Sequence, residues 1–460
     1  MPFHFIQLAR QIRAASALAL FITMFTGVGA RAADDSAAFL EALRQRQMHD
    51  LALDYLKSAA KDRLVSAEFK QRIPYERGVT LMAKWRMTSS TSERKRLASE
   101  VRNELEQFAD AAGGSAIAAE AQSQLATLLI ETASRDLISL KKSTSASKAD
   151  ATRKRAGGHF KDARDLLTEV EKTLVEELGK FPKALDPKTQ SKEIGQRLHI
   201  RGRLAQVRVV RARLLHQQAE LLDDDDKEAV ELNEQAAEEL QALYDKYSGY
   251  PIAFVARIGQ GECYLDLKKY KEATSCFESV IVQGGDNPTI RGLVTKSLRL
   301  LAKCYIEEKK YDAVLAKHGV WLAKQRDKTS TDLGTLGVKF LVAEASRLLA
   351  ELPETEKDDK RDLLASAKEL YQQVALIRNE YQDEARSILS EQFDGMDTEE
   401  VKRQEPETFS DTLQAAKDAI NSMNAAKQAQ DAAEANNPDA VAALKEQAET
   451  GFNDAMHYLE

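Results

Sequence analysis

Residues 251–281 read PIAFVARIGQGECYLDLKKYKEATSCFESVI, and the spacing within them decides the fold. Small and aromatic residues stand at fixed offsets: Gly261, Tyr264, Tyr270, Ala273, Phe277 and then Val280. Two helices joined by a tight turn at Leu267-Lys268-Lys269 account for that order. Gly261 is small enough for a neighbouring helix to approach closely. Tyr264 and Tyr270 straddle the turn, and Ala273 is the small contact on the second helix. Phe277 and Val280 continue that face at i+4 and i+7 from Ala273. A second copy follows, in which Ala302, Tyr305 and Tyr311 repeat Gly261, Tyr264 and Tyr270 at an offset of 305 − 264 = 41 residues. There Val314 takes the place of Ala273 and His318 that of Phe277, and Gly284-Gly285-Asp286-Asn287-Pro288 supplies extra turn residues between the copies.

This spacing resembles the tetratricopeptide repeat, a helix-turn-helix unit of about 34 residues. The family's usual Trp at the start of the first helix is Arg257 here, and its usual Pro after the second is Gly285. Residues 236–285, with the Tyr250-Pro251 turn before a Gly-x2-Tyr helix, are similar to exported repeat proteins of bacterial envelope assembly. The resemblance implies an all-α fold, a right-handed α-solenoid of such hairpins, serving as a scaffold for partners and not as a reaction centre. In the family, positions two, five and nine of the first helix face the concave surface. In the second copy these are Lys296, Arg299 and Lys303, which share one face, and in the first they are Val255, Ile258 and Glu262. The resemblance therefore implies a groove of Lys296, Arg299, Lys303 and Glu262 that takes an acidic protein or peptide partner. An ordinary solvated face is the alternative reading of the same cations. Family members that clamp a peptide carboxylate use Lys and Asn, and the Asn is absent here.

The bulk properties agree with a helical chain. Ala, Leu, Glu, Lys and Gln dominate, and most of the nine prolines fall at apparent helix boundaries. Arg10 and Arg13 precede an apolar run over 14–30, and Ala30-Arg31-Ala32 offers a cleavage site. The expectation is a cleaved signal peptide over 1–32 and a periplasmic or secreted mature chain, with a membrane anchor through 14–30 as the alternative. Nothing after the signal is apolar enough to span a bilayer. Residues 1–32 carry three Arg and no acid, so the formal charge of −7 becomes −7 − 3 = −10 in the mature chain, which argues against nucleic acid as a partner. The three cysteines, Cys263, Cys276 and Cys304, read as small buried residues; a Cys263–Cys276 bridge is the alternative.

Along the chain, helical repeats are expected over 33–142, including helices at 76–87, 93–111 and 116–140. His49 stands at the Tyr position of a second helix in that stretch, where it reads as a turn or half-buried packing residue. A mobile linker rich in Ser, Lys, Thr and Ala is expected over 143–156, long hairpins over 157–250 and the clearest repeats over 251–325. The C-terminal hairpins, 326–460, include an irregular acidic stretch at 387–406 and Ala-rich helices at 409–435 and 438–460. Thr450-Gly451-Phe452-x2-Ala455-x3-Leu459 resembles the start of a second repeat helix, so the last hairpin reads as incomplete.

No catalytic motif is present, neither a nucleophile elbow, a phosphate loop nor a zinc-protease helix, so the chain reads as no enzyme. No cofactor is implied. The seven histidines are scattered, and none stands at i+3 or i+4 from another as a two-histidine helical metal site requires, so no metal is expected. Asp223-Asp224-Asp225-Asp226 reads as a helix cap. Arg197, Arg201, Arg203, Arg208, Arg211 and Arg213 crowd one helix, and pairing with acids of the next helix such as Glu228, Glu231 and Glu238 is expected, with an acidic partner or anionic lipid head groups as the alternative. The function these readings lead to is an exported protein-interaction scaffold. The alternative is the non-catalytic repeat part of a larger envelope protein whose enzyme or ligand-binding domain lies beyond residue 460.

Overall fold

The computed structural model describes residues 35–142, 146–223, 226–284, 287, 290–325 and 332–393. The expected signal peptide and the helices expected at 409–435 and 438–460 lie outside them. The chain forms two compact units, Met1–Lys269 and Tyr270–Glu460.

Among the described residues all regular structure is helical. The first unit runs α1 (Asp35–Gln45), α2 (His49–Ala59), α3 (Ala67–Met87), α4 (Thr91–Ala112), α5 (Ala116–Lys142), α6 (Ala146–Gly179), α7 (Ser191–Ala219), α8 (Lys227–Lys246) and α9 (Pro251–Asp266). The second runs α10 (Tyr270–Gly284), α11 (Arg291–Glu307), α12 (Tyr311–Val314), a π turn (Leu315–Gly319), α13 (Val320–Lys324), α14 (Leu333–Ala350), α15 (Lys357–Leu376) and α16 (Gln382–Gln392). Within each unit, helices pack chiefly on their sequence neighbours, as hairpins do. In the first unit, α1 also touches α3, α3 touches α5, and α7 touches α9. Contact between alternate helices is what stacking one hairpin on the next produces.

The helix ends follow from local chemistry. Ser66 accepts from the Phe69 N–H at 3.1 Å, Asp226 from Glu228 at 2.8 Å and Asp332 from Thr335 at 2.9 Å, each satisfying a donor the helix leaves open. Asp226 thus caps α8 as expected. Pro251 opens α9, where its missing N–H loses nothing.

One turn recurs three times. Gln47, Lys268 and Lys309 all have left-handed backbone, at φ 59°, 58° and 61°. After each, the next N–H closes a six-residue ring: Met48 to the Leu43 carbonyl at 3.0 Å, Lys269 to Tyr264 at 2.8 Å and Lys310 to Tyr305 at 2.8 Å. This is a Schellman turn, normally given to glycine. Its three positions align His49 with Tyr270 and Tyr311, the register expected from the sequence. His49 is half-buried at the first position of α2.

Four segments differ from expectation. Residues 146–156 are helical, because Ala156 and Phe160 are fully buried with α5 and α7 residues in one core. The helix expected from Glu76 begins at Ala67 and carries Pro74 inside it, since Phe69 and Ile73 are needed in the core beneath α1 and α2. The acidic stretch from 387 is helical through Gln392, with Ala385 buried on the same helix. Residues 315–319 form a π turn where the second copy's pattern slips. The wider turn carries His318 fully inside, its Nε2 3.0 Å from the Leu298 carbonyl of α11.

Candidate functional site

The implied groove residues fall into both units. On α11, Lys296 and Lys303 are half-buried. Arg299, between them, points inward. Its guanidinium donates to Glu380 and, at 3.2 Å, to the Tyr381 hydroxyl, and it lies 5.6 Å from the Tyr381 ring centre. Helix α14 passes directly over it: a Cβ on Gly337 would sit 2.7 Å from the Arg299 Nε. Burial opposes the charge, but Tyr381 and Glu380 outweigh it and hold the guanidinium above its ordinary pKa. Arg299 therefore ties α11 to the segment between α15 and α16 and does not stand with the lysines as one ligand-facing row.

The repeat-signature residues behave as packing groups. Gly261, Ala273, Phe277, Ala302, Tyr305 and Tyr311 are buried, and Tyr264 and Tyr270 are half-buried. Tyr305 donates to Glu278 at 3.1 Å, and the Lys317 ammonium bridges both groups. All three cysteines are free and buried. Burial pushes the Cys263 thiol well above its ordinary range and Cys304 up to about 12, so both stay protonated and unreactive.

The fourth implied residue, Glu262, belongs to a charged stripe between α7 and α9. Arg213 Nη2 donates to Glu262 at 3.1 Å, and their side chains are only 9% and 12% exposed. The Arg213 stem lies along Gly259, where a Cβ would meet its Cγ at 3.4 Å. One turn further on, the buried His216 places Nε2 2.8 Å from Asp266. Glu220 follows four residues after His216, and its N–H still bonds the His216 carbonyl at 3.1 Å. The ligating atoms of His216, Glu220 and Asp266 all lie within 4.8 Å of one another. Burial disfavours the imidazolium, but the hydrogen bond and charge of Asp266, with Glu220 and Glu262, outweigh it and raise the His216 pKa to about 9.

This grouping escaped sequence reasoning. A search for paired histidines passes over His216-x3-Glu220, the one local signal, and nothing in the sequence places Asp266 beside it. Three of the six arginines of α7 pair with acids within the molecule, but not with the expected ones. Arg208 and Arg211 bind Glu171 of α6 at 2.7 and 2.8 Å, and Arg213 binds Glu262 of α9. Similar pairs cross between alternate helices elsewhere in the first unit: Arg44 with Glu76 at 2.7 Å, and Arg86 with Glu131 at 2.7 Å.

Comparison with protein-family models gave no match, and comparison with curated proteins gave none either. Among the described residues no helix is long and apolar enough to cross a membrane.

Proposed function

We propose that this chain is an exported protein-interaction scaffold, a right-handed tetratricopeptide-like α-solenoid that binds a peptide or protein on the face of its alternate helices. The observation that carries the reading is the hairpin order itself. Neighbouring helices pack in sequence, alternate helices touch, and one Schellman turn recurs at Gln47, Lys268 and Lys309. Such stacks present long surfaces to partners.

The ligand is acidic, and Lys296 and Lys303 contact it. Arg299 is left out of that contact because its guanidinium is turned inward, under Gly337 of α14 and against Glu380 and Tyr381. Export rests on Arg10, Arg13, the apolar run over 14–30 and Ala30-Arg31-Ala32. Mass spectrometry of the native protein should find a mature N-terminus near Ala33; an intact Met1 would remove the exported part of the reading.

The test of the scaffold is to isolate envelope proteins that bind the chain, purify the tightest, and titrate it against the chain and a Lys296→Glu/Lys303→Glu variant. Saturable binding that weakens with added salt and in the variant is expected. Undiminished affinity in the variant at low salt would remove the lysines from the site. Absence of any saturable envelope partner would remove the scaffold reading.

A further inference from the structure

We propose that His216, Glu220 and Asp266 form a binding site for a first-row divalent transition metal ion, zinc above all, held between α7 and α9. The donor set is one imidazole nitrogen and two carboxylates, which such ions accept. The geometry needs little adjustment. The three ligating atoms lie within 4.8 Å of one another, and His216 Nε2 and Asp266 Oδ2 are 2.8 Å apart. A tetrahedral ion about 2.1 Å from each ligand holds its ligands about 3.4 Å apart, a separation between those two values.

Helix geometry brings the ligands together from both sides. His216 and Glu220 are four residues apart, and the backbone bond between them keeps both side chains on one face of α7. Asp266 is the last residue of α9. The Arg213–Glu262 pair, one turn back along the same two helices, sets their spacing.

Charge favours a dication. The two ligating carboxylates, Glu220 and Asp266, match the charge of a divalent ion. The imidazole is buried, whereas Glu220 and Asp266 are partly exposed, so an ion has a path in and a water can complete its coordination. The bound ion would join two alternate helices of the stack, adding a link between successive hairpins to the one made by Arg213 and Glu262. This role does not depend on which partner the chain binds.

The test uses the untagged full chain stripped with chelator, with Co²⁺ as a visible-absorption probe and Zn²⁺ as competitor. One Co²⁺ per chain with micromolar affinity, displaced by Zn²⁺, is expected. Glu220→Gln and Asp266→Asn should each weaken binding tenfold or more, and His216→Gln should abolish it. Circular dichroism verifies folding of each variant. Glu220→Gln lies at a half-exposed helix end and carries the result if His216→Gln does not fold. No Co²⁺ bound at millimolar concentration, or undiminished binding in Glu220→Gln and Asp266→Asn, overturns the proposal and leaves His216 and Asp266 a simple ion pair.

Discussion

Removing either member of the Arg213–Glu262 pair should destabilise the first unit markedly, and removing both should cost less than the two single losses added together. The two side chains are 9% and 12% exposed and 3.1 Å apart, so neither charge has ready access to water. Breaking a buried pair leaves one charge uncompensated, at about 3–5 kcal/mol. The slight exposure here places the expected loss for Arg213→Met near the lower bound, about 3 kcal/mol. Glu262→Gln strands a guanidinium in the same way, with an expected loss of about 2 kcal/mol because the amide still accepts a hydrogen bond. The double variant exchanges a charged pair for a thioether beside a neutral amide. It should lose less than the sum, with a coupling of about 1.5 kcal/mol or more. Urea unfolding followed by circular dichroism, in chelator so that no metal contributes, measures all four corners of the cycle. Additive single losses, or a loss of under about 0.5 kcal/mol for Arg213→Met as at an ordinary surface site, would refute the reasoning.

The pH dependence of the neighbouring pair has a definite sign. The His216 pKa is raised to about 9 in the folded chain against 6.5 unfolded, by Asp266, Glu220 and Glu262 acting against burial. Its contribution, up to about 3 kcal/mol, is complete below pH 6.5 and lost as pH rises through 9. Unfolding in chelator at pH 6 and pH 9.5 should show that loss in the native chain and not in His216→Gln. Gly78→Ala should destabilise α3 against α4, because the new Cβ would meet Leu105 Cδ2 at 2.6 Å and Cγ at 2.7 Å. Overpacking of about 1–3 kcal/mol exceeds the ~1 kcal/mol gained in helix propensity, so the thermal midpoint should fall slightly. Lys309→Gly should stabilise by about 1 kcal/mol by relieving a left-handed backbone, whereas Glu308→Gly, one residue earlier at φ −80°, should destabilise.

What could be read from the sequence was local. The turn after Tyr264 is closed by bonds spanning five residues, and the packing residues on either side sit at fixed helical offsets, so a stretch of about 30 residues carries its own evidence. The same register identified His49, and the Asp run before a helix predicted the cap at Asp226. The missed features are set by tertiary partners. Arg299 looked like a groove residue because its helix position is right for one. Its fate is decided by Glu380 and Tyr381, 81 and 82 residues away. His216 meets Asp266 fifty residues on, across a stacking contact that periodicity does not encode. The supposed linker at 143–156 has a polar composition, yet Ala156 and Phe160 have a core to enter, and burial outweighs composition there.

The central claim is that alternate helices of this stack bind a protein partner. Site-specific photo-cross-linking in the cells that make the protein tests it most directly, with the photoreactive residue at Lys303 on α11 or, as a control, at the exposed Lys271 on α10. The account predicts a discrete cross-linked protein from position 303, absent from position 271 and lost when salt is raised during labelling of isolated envelopes. Identical labelling from both positions, or none from 303, would contradict it.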